Sequence, residues 1–282
     1  MMETMEKLRE FNLTDRDFDR IRNLAMKHLG IALADTKREL VYSRLTKRLR
    51  QFGMSGFSDY CNLLESGDAG ELVHFTNAIT TNLTSFFREN HHFEALAKSL
   101  LPELMKRKSR DRRLRIWSAG CSTGEEPYSI AMVVKETIPQ GSHWDVKILA
   151  TDIDSNVLAT ASRGVYGLER VGNISRQRLR QWFMKGKGEH EGVVKVSSVL
   201  QEMISFRRLN LMEEWPVKGS FDVIFCRNVV IYFDKETQKR LFERFAEKID
   251  DHGYIIVGHS ESLFKVTDRF DLLGQTIYRK IK

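Results

Sequence analysis

Leu114-Arg-Ile-Trp-Ser-Ala-Gly-Cys-Ser-Thr-Gly-Glu-Glu-Pro-Tyr128 is the stretch that decides the fold. Leu114, Ile116 and Trp117 make a short apolar run of strand length. It breaks into small residues around Gly120 and Gly124, and a helical pattern then runs from Glu125 to Thr137. Bare backbone between a strand end and a helix start leaves room for a ligand. Two later segments repeat the pattern of an apolar strand ending in polar groups: Ile148-Leu-Ala-Thr-Asp-Ile-Asp154 and Phe221-Asp-Val-Ile-Phe-Cys-Arg-Asn228. Ligands of open α/β sheets bind at the carboxyl ends of the strands, so three such ends predict a nucleoside-type cofactor site.

Outward from this stretch, strands and helices alternate. A strand is expected at 146–151, a helix at 155–162, a strand at 222–226, a helix at 235–249 and a strand at 253–258. The alternation predicts a mostly parallel sheet wrapped by helices. Phe270 to Ile281 reads as two short strands turning at Gly274, an antiparallel sheet edge. Between Gly164 and Phe206 the rhythm breaks, and Val193–Val199 with Met203–Arg207 reads as an inserted hairpin. Upstream, residues 14–90 are helical in pattern. Thr14 and Asp17 resemble a capping box, Phe18, Ile21, Ala25 and Leu29 follow at helical spacing, and Gly30 stops the helix. Val41, Leu45, Leu49 and Phe52 mark one face of a second helix, with Lys37, Arg44, Lys47 and Arg48 gathered roughly opposite. Further helices are expected at 58–64, 71–79 and 93–101. The expected organisation is a helical domain over 1–90, a linker helix and basic connection over 91–113, and a sheet domain over 114–282 with an insertion at about 165–206.

The chain has 282 residues, 41% of them hydrophobic, and no segment has the apolar length of a membrane span. Met1 to Glu10 is polar and charged, unlike a signal peptide. Cys61, Cys121 and Cys226 are odd in number and far apart, which argues against a disulfide framework or a zinc site and fits a reducing cytoplasm. The net charge of +7 is uneven: residues 1–90 balance, while 98–115 is strongly basic and 37–50 forms a second basic cluster. For 98–115 a solvated connection is the simpler reading; for 37–50 a solvated face and a binding face for an acidic partner or nucleic acid both stand.

Asp152 is the sharpest single residue, since a carboxylate just past the second strand of such a sheet accepts hydrogen bonds from ribose hydroxyls. Helix capping is its other reading, and that role is assigned to Asp154. Glu125 and Glu126 stand at a helix start, where they would repel phosphate and welcome a cation. The glycine loop also lacks a Lys-Ser/Thr pair. These features point from phosphate-rich cofactors towards S-adenosylmethionine, with its ammonium and sulfonium charges. Gly120-Cys-Ser-Thr-Gly124 matches a hydrolase nucleophile elbow, and Asp222 and His259 would complete the order Ser, Asp, His. However, the loop follows the first strand of its sheet and no oxyanion-hole segment precedes it. The histidines show no metal-ligand spacing.

Together these segments resemble the CheR family, bacterial chemotaxis methyltransferases that esterify glutamates of chemoreceptors. The residues that carry the likeness are Thr80-Thr-Asn-Leu-Thr-Ser-Phe-Phe-Arg-Glu89, His91-His-Phe93, Trp117 to Ser129, Thr151-Asp-Ile-Asp154, Phe221 to Asn228, Ile231-Tyr-Phe-Asp234 and Gly258-His-Ser-Glu261. The resemblance implies a Rossmann-like class I methyltransferase sheet with a small inserted antiparallel β-subdomain behind an all-helical N-terminal domain. By motif it implies cofactor contacts at Asn82, Thr84, Arg88, Glu126, Asp152, Asn210, Leu211, Arg227 and Asn228, with Glu126 at the ammonium and Asp152 at the ribose. Lys37, Arg44, Lys47 and Arg48 would face the receptor's glutamate-bearing helix, and Arg88 and Tyr232 would orient its carboxylate. A glutamate carboxylate is ionised at neutral pH, so methyl transfer to it needs no general base. The implied protein is a cytoplasmic monomer that uses S-adenosylmethionine and no metal, acts on receptor protein and neither binds nucleic acid nor inserts in membrane. The alternatives are methylation of RNA or a small molecule, and a non-catalytic, cofactor-sensing receptor adaptor.

Overall fold

The computed structural model describes residues 9–282, so of the polar N-terminus all but its end lies outside the described residues. By its contacts the chain forms two units, one of residues up to Thr81 together with Tyr232–Asp234, the other of Asn82–Ile231 and Lys235–Lys282.

The first unit is helical. In α1 (Asp15–Leu29) the Thr14 hydroxyl accepts from the Asp17 N–H at 3.1 Å while Asp17 accepts from Thr14, the expected reciprocal cap. Gly30 ends the helix at φ 70°, a conformation that favours glycine. Phe18, Ile21, Ala25 and Leu29 are buried. Next come α2 (Arg38–Phe52), α3 (Phe57–Glu65) and α4 (Ala69–Ile79). Val41, Leu45 and Leu49 of α2 are buried, whereas Phe52, in its last turn, is 47% exposed. Tyr232–Asp234 joins this unit through its backbone: Ala32 N–H donates to the Tyr232 carbonyl at 2.9 Å, and Ile31 bridges Phe233 antiparallel.

The second unit opens with α5 (His91–Ala95), which passes through a π turn at Leu96–Leu100 into α6 (Leu101–Arg107). Pro102 has no N–H to offer the preceding turn, which accounts for the widened hydrogen bonding before it. The helix therefore runs beyond its expected end, and its apolar side (Phe93, Leu96, Leu100, Leu101, Leu104) belongs to the core of the sheet. Two members of the basic run that follows are held in ion pairs: Lys108 bonds Asp222 at 2.6 Å and Asp250 at 2.7 Å, and Arg115 pairs with Asp145.

Then follow β1 (Arg113–Ala119), α7 (Glu125–Thr137), β2 (Asp145–Asp152), α8 (Ser155–Arg163), β3 (Val165–Gly167), α9 (Arg176–Trp182), β4 (Phe183–Lys185), β5 (Val193–Val196), α10 (Ser198–Gln201), β6 (Ile204–Arg208), β7 (Phe221–Cys226), α11 (Lys235–Lys248), β8 (Ile249–Val257), β9 (Phe270–Gly274) and β10 (Ile277–Lys280). The main sheet has the order β6-β2-β1-β7-β8-β10-β9, parallel from β6 to β8 and antiparallel at β10 and β9. This is the mostly parallel sheet with an antiparallel edge expected from the sequence. One part of the expectation fails. β5 and β6 are not a hairpin: β5 is the middle of a small antiparallel sheet, β3-β5-β4, while β6 pairs parallel with β2 at the main sheet's edge. The short α10 between them sends the chain from one sheet to the other.

Candidate active site

Register fixes where the site lies. Ala119 of β1 is level with Thr151 of β2, Asp152 with Arg208 of β6, and Ser118 with Phe225 of β7. The carboxyl ends of four parallel strands thus share one edge of the sheet. The loop after β1 turns through left-handed glycines, Gly120 at φ 90° and Gly124 at φ 98°. A Cβ on Gly120 would lie 2.4 Å from the Val229 side chain, and one on Gly124 2.8 Å from Ala161, so only glycine fits either place.

Asp152 is buried at the tip of β2. Its Oδ2 accepts from the Ser122 N–H at 2.7 Å and its Oδ1 from the Asp154 N–H at 3.0 Å. Burial, opposed by these bonds, raises its pKa to about 6. Asp154 caps α8, accepting from Asn156 N–H at 2.8 Å, and its other oxygen accepts from the Asn82 amide at 2.7 Å. The Asn82 carbonyl in turn accepts from the Ser122 hydroxyl at 2.9 Å. Leu209 N–H donates to the Asp152 carbonyl at 3.0 Å, which sets Asn210 and Leu211 beside the end of β2. Asn210 closes its own turn with Met212 and Glu213, and the Leu211 carbonyl accepts from Arg244 at 2.6 Å. Thr84 is half-buried in the segment that begins at Asn82.

A second network gathers at the end of β7. Arg227 is buried, with Nη1 donating to Glu126 Oε2 at 2.9 Å and Nη2 to Glu89 Oε2 at 3.1 Å and to the Arg88 carbonyl. Glu126 also accepts from the Ser118 hydroxyl at 2.8 Å. Glu89 receives the His259 N–H at 3.1 Å and the Asn228 amide at 3.4 Å, and its Oε1 is 2.7 Å from His259 Nδ1. Although burial opposes it, the bond to His259 and the charge of Arg227 hold the Glu89 carboxyl down at about 2. Arg88 lies between two left-handed residues, Phe87 at φ 53° and Glu89 at φ 54°, and donates to the Leu83 carbonyl at 2.8 Å. Glu125, fully buried, is matched by Arg170 of the insertion and by the Thr123 hydroxyl at 2.6 Å.

The hydrolase constellation does not assemble. Asp222 stands at the opposite, amino end of β7, where it holds Lys108 and the Arg115 N–H, and His259 bonds Glu89. Glu89, His91 and His92, among the described residues, do bring potential metal donors within 4.8 Å, a grouping their spacing conceals. Arg227 already occupies that carboxylate, and His92 Nε2 donates to the Gln275 carbonyl at 2.8 Å.

Two groups of carboxylates thus stand at the carboxyl ends of the strands: Asp152 with Asp154 at β2, and Glu126 with Glu89 around Arg227 at β7. A family model described as "CheR methyltransferase, SAM binding domain" matches residues 82–279, and one described as "CheR methyltransferase, all-alpha domain" matches 16–80. The chain belongs to the CheR methyltransferase family. Membership makes it an S-adenosylmethionine-dependent methyltransferase. The chemotaxis protein methyltransferase of Escherichia coli is 45% identical over 269 residues, 94% of this chain and 91% of that protein. The probable chemotaxis protein methyltransferase of Rhizobium etli is 46% identical over 252 residues, 89% of this chain and 94% of its own. Chemotaxis protein methyltransferase 2 of Pseudomonas aeruginosa is 44% identical over 270 residues, covering 95% and 94%.

In this CheR methyltransferase Asn82, Asp152, Asn210 and Leu211 stand about the end of β2, and Glu126, Arg227, Asn228 and the Arg88 backbone about the end of β7. Tyr232 instead groups with the helical unit. Of the basic set on the helical unit, Lys37 and Lys47 are exposed, whereas Arg44 donates to the carbonyls of Ala78, Ile79 and Thr80, and Arg48 pairs with buried Glu71. Sequence reasoning assigned no role to Glu89, Arg170 or Glu261. Glu261 is buried and clamps the loop after β7, accepting from Gly258 N–H at 2.6 Å, Asn228 N–H at 2.8 Å and Ile231 N–H at 3.3 Å. The signals for Glu89 and Glu261 were their places in the Arg88-Glu89 and Gly258-His-Ser-Glu261 motifs.

Proposed function

We propose that this methyltransferase acts in the cytoplasm, as a monomer, on glutamate side chains of chemoreceptor cytoplasmic helices, forming methyl esters. The observation that carries this reading is the family membership, joined to a sheet edge where the carboxylates Asp152, Glu126 and Glu89 gather and suit a cation. Relatives named chemotaxis protein methyltransferases span nearly the same length, and among the described residues no helix is long and apolar enough to cross a membrane.

In this reading Asp152 takes the ribose hydroxyls, Glu126 the ammonium group and Arg227 the carboxylate, with Asn82, Thr84, Asn210, Leu211 and Asn228 lining the remainder. S-adenosylmethionine, when bound, supplies an electrophilic methyl group on sulfur. A glutamate acceptor is already ionised, so the chain has to orient it and exclude water, not deprotonate it. Arg88 is the candidate to orient that carboxylate from the sheet unit. Tyr232 is a second candidate, contributed by the chain that leaves β7. Of the four basic residues expected to face the receptor, Lys37 and Lys47 are exposed and lack the internal bonds that hold Arg44 and Arg48, and they suit an acidic receptor helix. No nucleic acid and no metal enters this reading. Incubation with methyl-labelled S-adenosylmethionine and purified receptor should give alkali-labile label on receptor glutamates. Label in RNA alone, or cofactor binding without any product, would refute it.

A further inference from the structure

Glu261 is 4% exposed, and the groups that meet its carboxylate among the described residues are backbone N–H groups rather than a side-chain cation. A buried carboxylate is costly to the fold, so what it secures matters. Oε2 accepts from Gly258 N–H at 2.6 Å, in the loop after β8, and from Asn228 N–H at 2.8 Å, in the loop after β7. Oε1 accepts from Ile231 N–H at 3.3 Å, and the Val230 N–H bonds the same carboxyl group. One side chain thus ties together the loops that leave two adjacent parallel strands. Asn228 is gripped from a second side, where its amide donates to Glu89 at 3.4 Å. Its φ of 57° is left-handed, a conformation that its surroundings have to hold. The space is tight as well: a Cβ on Gly258 would lie 2.5 Å from the Asn228 amide nitrogen and 2.9 Å from Glu261 Oε2.

We propose that Glu261 is a positioning residue for methyl transfer: by holding four backbone N–H groups it fixes Asn228 at the end of β7 and the course of the chain into Tyr232, and it acts through that loop. The inference rests on the reading in which Asn228 lines the cofactor and Tyr232 is a candidate to orient the acceptor carboxylate, and it deepens that reading. An ionised carboxylate accepts on both oxygens, which four donors require. A glutamine accepts on one only, and its NH2 group would stand against N–H donors from which it can receive nothing. The loop then loses the bonds that hold Asn228 left-handed. A displacement of about 1 Å among aligned groups is worth about a hundredfold in rate.

The test compares receptor methylation by the full-length protein with that by its Glu261→Gln, Gly258→Ala and doubly substituted variants. Rates are taken at saturating donor and per donor-binding site, counted by calorimetry with S-adenosylmethionine. In Glu261→Gln kcat should fall about a hundredfold while the receptor KM stays within about twofold, the mark of an interaction realised in the transition state alone. Gly258→Ala keeps the carboxylate but presses on the same amide, so it should show the same split. The double variant should be no slower than the worse single one, because both changes act on one loop. A lowered melting temperature with kcat per site unchanged makes Glu261 structural only and overturns the proposal. So does a loss confined to the receptor KM, or losses that multiply in the double variant. If Glu261→Gln does not fold, the split in Gly258→Ala decides alone. An unaltered protein that leaves purified receptor unmethylated overturns the proposed function itself, and this inference with it.

Discussion

Asp152 combines two opposed demands in one carboxyl group. Its folded pKa, about 6, lies above the unfolded value near 3.8, so its contribution to stability is complete below the unfolded pKa and is lost as pH rises through 6. At neutral pH the shift amounts to about 3 kcal/mol against the cofactor-free fold. Asp152→Asn should therefore become more stable relative to the parent as pH rises from 5 to 7, read by urea denaturation, while losing most affinity for S-adenosylmethionine. In the unaltered protein, affinity should fall as pH drops through 6 if Asp152 takes the ribose as proposed, because its carboxylate then becomes protonated; a flat calorimetric profile from pH 5 to 8 would separate Asp152 from the cofactor. Asp152 was legible in the sequence because a strand of Ile, Leu and Ala leads straight to it. Arg48 was not. Helical spacing places it on the polar face of α2, but its partner Glu71 comes from α4, and no local pattern shows that pairing. Removing it in Arg48→Ala leaves Glu71, 2% exposed, without its cation, and should cost about 3 kcal/mol in denaturant titration.

At the scale of elements, the turn between β1 and α7 and the insertion depend on each other. Gly124 is in van der Waals reach of α8 and of Tyr166, whose hydroxyl donates to the Thr123 carbonyl at 2.7 Å. Gly124→Ala would add both a collision and a left-handed backbone penalty, about 3 kcal/mol together, and should lower the melting temperature by several degrees. Arg170→Ala should cost about 3 kcal/mol in denaturant titration and weaken S-adenosylmethionine binding severalfold in calorimetry, since Glu125 then sits buried without its cation at the start of α7. The helix Glu125–Thr137 was readable to the residue, because a glycine, two acidic residues and a proline define its start. The insertion was not. β3 and β4 have three residues each and depend on pairing with β5, while β6 finds its partner in β2, so alternation within 193–207 could not distinguish one sheet from two.

For the molecule as a whole, the mostly parallel sheet and the helical N-terminal segment followed from the sequence, since each rests on periodicity repeated over many residues; the order of the strands came only with the structure. The basic clusters did not read so simply: in the run from Lys98 to Arg115, Lys98, Arg107, Lys108 and Arg115 are held by acidic partners or a carbonyl of their own unit. On the helical unit Lys37 and Lys47 remain exposed. Reversing both to Glu should leave stability and cofactor affinity unchanged while lowering receptor methylation about tenfold, a loss that high salt reduces in the parent as well. Undiminished receptor methylation would return that face to a solvated role. The short return of Tyr232–Asp234 to the helical unit has a consequence for evolution and engineering. Because a tripeptide from the far half of the gene completes the front half's fold, a crossover near codon 81 transplants an incomplete module. Chimaeras between relatives should keep their helical parts intact only when this downstream tripeptide comes from the same parent.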